Sequence, residues 1–340
     1  MLRGAGVTLR GTLGFAVGIV VGLAVFGAGV QQYAAWADRE EFVPPGRLVD
    51  VGDRRLHIDC RGDGEGPTVV LEAGLGGFSA YWAWVVEELR GSRRVCAYDR
   101  SGLGWSESGT GLRDTITAIR LLGRLLDQVR ERGPYVMVGH GLGGAFVRTF
   151  AARYHTQVAG VVMIDSMHPD QFRRLPERVR RQFSDLRVNY GVSEVLAHFG
   201  VMRLRTFAAN MAGDLPPSAR RVIRAFAALP NHLDAAGDEL AALDESLAQA
   251  RVVRTLESVP LLVISSERAD SIEPAAWNEI QDDLVQLSSR GRRVVIAGAN
   301  GETLLTNEAS ARSVARAIGE FVAAIERSPA AAPPPGAAGR

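Results

Sequence analysis

The sequence predicts an α/β fold in which a mainly parallel sheet of eight strands is covered by helices on both faces. Three observations predict this class: short β-rich runs alternate with amphipathic stretches, no internal repeat is present, and the composition suits a globular chain. Of the 340 residues, 46% are apolar and 23% are charged, which is enough apolar material for a substantial core.

The eight strand candidates are short segments rich in Val, Ile and Leu, a composition typical of strands. Their sequences are GRLVDV, RRLHIDC, TVVLEAG, RRVCAYD, YVMVGH, GVVMID, PLLVIS and RRVVIAG. The segment that begins at Asp114 repeats its apolar residues about every 3.6 positions, as a helix packed on a sheet does. Helices are predicted on the same grounds after Gly141, over 274–287 and over 308–325.

The N-terminal segment from Gly11 to Trp36 has no charged side chain. As a helix it is long enough to cross the hydrocarbon layer of a membrane, which is about 30 Å thick. Arg3 and Arg10 precede this segment and acidic residues predominate directly after it, so the basic end is expected to stay in the cytoplasm. The sequence therefore predicts a single-pass membrane protein with an extracytoplasmic domain.

The whole chain divides by composition around this apolar segment. We predict a cytoplasmic N-terminus over 1–10, a transmembrane anchor over 11–36, a linker over 37–46 and a globular domain over 47–327. The end of the chain, 328–340, is rich in Ala and Pro and is predicted to be a disordered tail. The alternative is a signal peptide cleaved at the Ala-Trp-Ala run, which would leave a secreted protein.

The charge of the chain excludes one class of partner. Lys and Arg together number 39 and Asp and Glu number 38, so the formal charge is only +1. Binding a nucleic acid needs a concentrated basic face, so we expect no nucleic-acid partner. Membrane lipid is the expected partner of the apolar segment, and neither a cofactor nor a metal is expected.

Between the sixth and seventh predicted strands, over 167–256, the alternation stops and the chain reads as several helices. This stretch predicts an inserted helical cap. Its first part carries the basic residues Arg173, Arg174, Arg178, Arg180 and Arg181. One interpretation is a solvated helix whose arginine stems cover apolar surface. The other is a cap that rests on anionic lipid or lines an acyl pocket beside the membrane.

A glycine-rich turn joins the fifth predicted strand to the following helix in the run YVMVGHGLGG. Gly139, Gly141 and Gly143 give it the form G-x-G-x-G. Two more glycine-rich loops follow strands: EAGLGG after the third and YDRSGLGWS after the fourth. Together these loops resemble the nucleophile elbow and its neighbours in capped, lipase- and esterase-like α/β-hydrolases. The resemblance covers about 47–325 and implies their sheet order, with an antiparallel second strand.

The resemblance implies a nucleophile at the centre of the elbow and a histidine after the last strand. Gly141 occupies the first position. Aligning AGANGE, at the end of the eighth strand, with the family's small-Gly-His run places Gly301 at the second position. None of the six histidines follows the seventh strand, so no other alignment supplies the base. Glycine is thus expected in place of both the nucleophile and the base.

The resemblance also implies the rest of the site. Candidate remnants of the acid are Asp165 at the end of the sixth strand and Glu267 or Asp270 after the seventh. Without a base to orient, they are expected to be surface or capping carboxylates. The backbone N–H groups of Leu75 and Leu142 are expected to form the oxyanion hole.

Two histidines and two cysteines need separate interpretation. His140 precedes the elbow position and is expected to point away from the pocket as a packing residue. His168 lies at the entrance of the cap, where it is the candidate for a substitute base. Cys60 and Cys96 fall in strands that the resemblance makes neighbours, so they form either a disulfide or two buried thiols.

Three functions fit this pattern. The leading hypothesis is a non-catalytic hydrolase relative, tethered to a membrane, that binds a lipid-like or ester-like small molecule or an unknown protein partner. The second is an esterase or lipase with an unconventional nucleophile or base. The third is a structural envelope protein without a ligand.

Overall fold

The computed structural model describes residues 4–131, 133–204, 212–268 and 274–327. The predicted tail, 328–340, lies outside these ranges. All eight predicted strands are present and form one sheet. They are β1 (Arg47–Asp50), β2 (Arg55–Arg61), β3 (Thr68–Glu72), β4 (Val95–Tyr98), β5 (Tyr135–His140), β6 (Val158–Ile164), β7 (Leu261–Arg268) and β8 (Gly291–Asn300).

The strand order is β1-β2-β4-β3-β5-β6-β7-β8, which confirms the predicted fold class. β2 runs antiparallel to both of its neighbours, and the other pairs are parallel. Because parallel strands end at the same edge of a sheet, the loops after β3, β5, β6 and β8 meet there. This edge carries the candidate site.

Helices cover both faces of the sheet. One face packs on α3 (Thr115–Val129) and α4 (Leu142–Arg153), and the opposite face packs on α2 (Ala83–Leu89) and the C-terminal helix, Glu308–Arg327. The two faces are served by alternate residues of the strands: Val70 points to the first layer, and Val69 and Leu71 point to the second. The period of two in the buried strands thus produces a three-layer domain.

Helices also fill the chain between β6 and β7, where the cap is predicted. They are α5 (Gln171–Arg174), α6 (Glu177–His198), α7 (Val201–Leu204), α8 (Pro217–Phe226), α9 (Pro230–Ala241) and α10 (Leu243–Val252). After β7 come α11 (Pro274–Val285), α12 (Thr303–Thr306) and α13 (Glu308–Arg327).

The N-terminal helix α1 (Gly4–Glu41) is longer than the predicted anchor. Within its stretch Thr12–Glu41, an 18-residue window reaches a mean hydropathy of 2.3, and the length and composition of the helix suffice to cross a membrane. The linker predicted over 37–46 is therefore helical as far as Glu41. Asp38 explains the extension, because its carboxylate pairs with Arg203 of α7 at 2.7 Å and holds the last turns of α1 against the cap.

Two side-chain pairs connect β2 with β4 and with Asp99, the residue that follows β4. Cys60 and Cys96 lie opposite each other in the two strands and form a disulfide, one of the two alternatives that the sequence left open. His57 of β2 places Nδ1 2.9 Å from Oδ2 of Asp99, and both side chains are fully buried. Asp99 also accepts hydrogen bonds from the backbone N–H groups of Ser79 and Trp105, at 2.7 and 2.9 Å.

Candidate functional site

A sharp turn at Gly141 joins β5 to α4. Gly141 has φ 54° and ψ −117°, a backbone conformation that side-chain-bearing residues rarely adopt. A Cβ added to Gly139 would overlap the carbonyl of Gly143, so this strand and helix meet closely only because both residues are glycine. A Cβ on Gly141 itself would have only Gly74 nearby, its Cα 3.8 Å away. The turn therefore keeps the shape and the open space of a nucleophile elbow without a nucleophile.

The two N–H groups predicted for an oxyanion hole lie beside this turn. Leu142 is the first residue of α4, and Leu75 follows Gly74 in the loop that faces Gly141. Over the ranges that the structure describes, neither N–H has a hydrogen-bond acceptor, whereas the Gly141 N–H donates to Ile164 at 3.0 Å. The N-terminus of a helix favours negative charge. These groups are thus placed to receive an oxygen atom of a ligand.

Asp165 and Gly301 face each other across the ends of β6 and β8. A Cβ on Gly301 would lie 3.3 Å from Oδ2 of Asp165. The Asp165 carboxylate is buried and accepts hydrogen bonds from the Ser266 N–H at 2.8 Å and the Ser266 hydroxyl at 2.6 Å. Burial raises the pKa of Asp165, although the two bonds from Ser266 oppose this shift.

The expectation that Asp165 is a surface or capping carboxylate is therefore wrong. The parallel register of β6 and β7 brings the end of β6 beside Ser266, inside the sheet edge. Glu267, by contrast, is exposed and accepts a hydrogen bond from the Gly298 N–H at 2.7 Å, as a capping carboxylate does. Asp270, the third candidate, lies outside the described residues.

No hydrogen bond joins His168 to the elbow in the part of the chain that the structure describes. Its Nδ1 accepts a hydrogen bond from the Asp170 N–H at 3.0 Å. Burial, together with the positive charges of Arg148 and Arg174, lowers the pKa of His168 to about 4. At neutral pH the ring is therefore an uncharged and weak base, and no hydrogen bond ties it to Asp165. Its role as a substitute base stays a prediction.

His140 packs against the site itself, so the expectation that it points away from the pocket is wrong. Its Nδ1 lies 3.0 Å from the position of a Cβ on Gly74, and the backbone of Gly301 hydrogen-bonds to its ring. Burial lowers the pKa of His140 to about 4. An uncharged His140 thus links the loops after β3 and β8, which both border Gly141.

A buried ion cluster holds the loop after β3 in place. The Arg100 guanidinium donates to the carbonyls of Ala73 and Gly74, each at 2.7 Å. It also pairs with two buried carboxylates, Glu72 at the end of β3 and Glu239 on the cap helix α9. Glu239 in turn accepts a hydrogen bond from the Gly76 N–H at 2.9 Å. Arg100 therefore fixes the loop that carries Leu75 to both the sheet and the cap.

Comparison with known proteins identifies the family. The sequence profile described as "alpha/beta hydrolase fold" matches residues 67–308, which is well over half of the chain. The chain belongs to the α/β-hydrolase fold family. The match confirms the predicted resemblance, and it includes both glycine positions of the site.

Individual relatives of this α/β-hydrolase-fold protein cover it only in part. Epoxide hydrolase 3 of Xenopus tropicalis is 32% identical over 128 residues, which are 37% of this chain and 34% of the relative. An uncharacterized vacuolar membrane protein of Saccharomyces cerevisiae is 30% identical over 125 residues, 36% of this chain and 19% of the relative. The chain thus spans about a third or less of these curated relatives.

A solved structure extends the similarity to most of the fold. A thermophilic esterase from Thermogutta terrifontis superposes with a TM-score of 0.59 at 21% identity, covering 80% of this chain and 94% of the esterase. At this identity the likeness concerns the fold alone.

Two residues that shape the site of this hydrolase-fold domain, Arg100 and Glu239, were not predicted from the sequence. Arg100 lies inside the YDRSGLGWS loop, but nothing in that motif tells that its side chain turns back to the loop after β3. Glu239 lies in the cap, where no motif marks it. A buried arginine is stable only beside carboxylates, so the acidic residues of the cap were the sequence feature that could have indicated a partner for Arg100.

One further group of side chains has the composition of a metal site. The sulfur atoms of Cys60 and Cys96 and a carboxylate oxygen of Glu131 lie within 4.8 Å of one another. The sulfurs are bonded to each other, and Glu131 accepts a hydrogen bond from Arg94 at 2.6 Å. Because thiolates are the form that binds metals, we assign no metal site to this group in its disulfide form.

Proposed function

We propose that this protein is a membrane-tethered member of the α/β-hydrolase fold that lacks hydrolytic activity and binds a lipid-like or ester-like small molecule at the elbow. The observation that carries the proposal is the state of Gly141. It keeps the elbow conformation and its open space but supplies no side chain. With Gly301 at the base position, neither of these two positions offers a side chain that could exchange a proton with an attacking atom.

The ion cluster supports retention of a binding site. Burying charged groups costs several kcal/mol of desolvation per ion unless the groups are well paired. Here two carboxylates and Arg100 are buried together, and they fix the loop that carries the Leu75 N–H beside the elbow. A site without any ligand would gain little from so specific an arrangement.

The surroundings of the elbow indicate the class of ligand. The unpaired N–H groups of Leu75 and Leu142 suit a carbonyl or carboxylate oxygen. The cap contributes the Ala236 methyl group over the adjacent Gly76, and Tyr190, which places its polar hydroxyl there and packs its ring on the apolar core. An oxygen-bearing group on an apolar body, such as a fatty acid or an ester, satisfies both. Similarity to an epoxide hydrolase supports a small organic ligand.

The proposed location is a membrane, with the globular domain on the extracytoplasmic side. The apolar stretch Thr12–Glu41, the basic residues before it and the disulfide support this placement. The similarity to a vacuolar membrane protein supports membrane association.

Ligand binding is tested on the purified full-length protein. Lipids that co-purify are extracted and identified, and then returned to delipidated protein while its melting temperature is recorded. A ligand that binds only the folded state stabilises it by RT ln(1 + [L]/Kd), about 2.7 kcal/mol at 100 Kd. We expect a concentration-dependent rise for a fatty acid or a monoacyl ester and none for a sugar of similar size.

A matched pair of variants locates the binding site. Gly141→Asn places a side chain in the open space of the elbow, and it should abolish the ligand-dependent rise. Gly111 also has positive φ, with open space around it, so Gly111→Asn should leave the rise intact. A wild-type protein that shows no rise with any extracted lipid would favour the structural envelope protein. Labelling by a serine-directed phosphonate would favour the unconventional hydrolase.

A further inference from the structure

The cap helix α6 carries an exposed apolar stripe. Val188, Val192, Val195 and Phe199, which directly follows the helix, are 65, 51, 60 and 40% exposed. Their spacing of four, three and four residues places them within one narrow face of a helix. The opposite face of α6 bears Tyr190, whose hydroxyl lies 3.4 Å from the position of a Cβ on Gly76 in the site. One side of α6 thus borders the site, and the other presents apolar surface.

The end of this stripe is packed against the membrane helix α1. A Cβ on Gly27 would overlap the carbonyl of Phe199, so the two backbones touch. The buried Gln31 of α1 donates to the Ala228 carbonyl at 3.2 Å and accepts from Arg203 at 2.8 Å. Together with the pair between Arg203 and Asp38, these contacts attach the cap to a defined segment of α1, from Gly27 to Asp38.

The height of this contact follows from the aromatic residues of α1. Tyr33 and Trp36 are exposed, 69% and 58%, and such residues are enriched at the membrane surface. Gly27 precedes Tyr33 by six residues, which is about 9 Å along a helix axis toward the membrane interior. Interfacial helices bury their apolar faces about 5–10 Å below the boundary of headgroups and acyl chains. The Phe199 end of the stripe therefore lies at acyl-chain depth.

We propose that the stripe formed by Val188, Val192, Val195 and Phe199 is embedded in the outer leaflet of the bilayer, so that α6 separates the lipid from the site. This inference rests on the proposed membrane anchoring. A helix with its side chains is only about 10–12 Å across, so the site lies one helix away from the acyl chains. A lipid-like ligand would reach it without crossing water.

Charge argues for contact with acyl chains rather than with anionic headgroups. Three of the five arginines at the start of the cap are paired with nearby carboxylates: Arg173 with Asp170, Arg174 with Glu279 and Arg181 with Glu177. These pairs neutralise much of the basic surface that the sequence offered for anionic lipid. Insertion should therefore occur in uncharged phosphatidylcholine.

The test places a fluorophore at single introduced cysteines of the full-length protein in phosphatidylcholine vesicles. Cys60 and Cys96 are disulfide-bonded, so each introduced thiol is the reactive one. A label at Val192→Cys probes the stripe. A label at Val252→Cys, which replaces an exposed valine at the end of α10, is the control outside the stripe. A label at Leu23→Cys probes the centre of the anchor. Lipids with a nitroxide near the headgroup or deep in the acyl chain serve as quenchers.

We expect blue-shifted emission at Val192 and several-fold stronger quenching there by the shallow nitroxide than at Val252. The Leu23 label should be quenched by the deep nitroxide. Quenching at Leu23 without quenching at Val192 would overturn the stripe proposal and leave the anchor intact. Absence of quenching at both would contradict the membrane anchoring itself. Cross-linking of Val192→Cys between two protein molecules, without lipid quenching, would assign the stripe to self-association and overturn lipid contact.

Discussion

Oδ2 of Asp165 lies 3.3 Å from the point at which a side chain on Gly301 would begin. The acid position of the site is thus occupied and buried, while the base that it would orient and the nucleophile at Gly141 are both absent. In the proposed assignment of the nucleophile to position 141 and the base to position 301, two substitutions would complete an arrangement of nucleophile, base and acid.

We predict that the double variant Gly141→Ser/Gly301→His hydrolyses a short p-nitrophenyl ester, whereas each single variant does not. Nucleophile and base act as a unit, so either one without the other gives little increase in the rate of hydrolysis. A positioned base contributes on the order of 10²–10⁴ in rate, which sets the expected gain of the double over either single variant. Adding Asp165→Asn should remove most of that gain.

The wild-type protein should show no saturable ester hydrolysis above background. The critical control is His168→Ala, because His168 is the candidate for a substitute base. Turnover by the wild type that disappears in His168→Ala would establish the unconventional hydrolase instead.

We predict that Gly141→Ser lowers the free energy of unfolding by roughly 1 kcal/mol, because a non-glycine residue at this φ costs on the order of 1 to 3 kcal/mol. The new Cβ meets nothing closer than 3.8 Å, so backbone strain is the expected cause. Gly91→Ser is the control, since a Cβ there has open space and ordinary φ. Chemical denaturation measures both variants and the wild type. A midpoint for Gly141→Ser equal to or above that of the wild type would show that the elbow has relaxed.

The pair formed by His57 and Asp99 predicts a pH dependence of stability. Burial alone would lower the pKa of His57, but the adjacent Asp99 carboxylate raises it above its ordinary value. Burial alone would raise the pKa of Asp99, but His57 and the Ser79 N–H lower it. A raised His57 pKa stabilises the fold below about pH 6.5, and a lowered Asp99 pKa stabilises it above about pH 4.

The contribution of this pair should therefore be largest between about pH 4 and 6.5 and decline as the pH rises through the pKa of folded His57. Urea denaturation at several pH values measures it. His57→Gln should flatten the alkaline decline while leaving the acid limb, to which other carboxylates contribute. An unchanged pH profile in His57→Gln would mean that the pair is uncharged in the folded state.

We predict that the protein stays with the membrane after alkaline extraction and that added protease digests its globular domain from the extracytoplasmic side. The apolar stretch of α1 and the basic residues before it are the reason. Recovery of a soluble form that begins near Asp38 would favour a cleaved signal peptide. Digestion only after the cytoplasmic side is opened would contradict both topologies.

The sequence was sufficient for features set by local pattern. Alternating apolar runs located all eight strands, and the order of glycines located the elbow at Gly141. Features set by tertiary contact were not predictable. Asp165 is buried because β6 and β7 pair in a particular register, and α1 continues to Glu41 because the cap binds its last turns. The residues next to Asp165 and Glu41 in the sequence indicate neither the strand register nor the contact with the cap.

The salt bridge between Arg100 and Glu239 restricts how far the cap can move away from the sheet. Swinging the cap away as a hinged cover would strip Arg100 of one partner and leave Glu239 unpaired, and breaking a buried pair costs about 3–5 kcal/mol. Such opening is rarely populated at equilibrium. A ligand at the proposed site should instead enter and leave through small local displacements of the cap helices, which favours slow exchange and long residence.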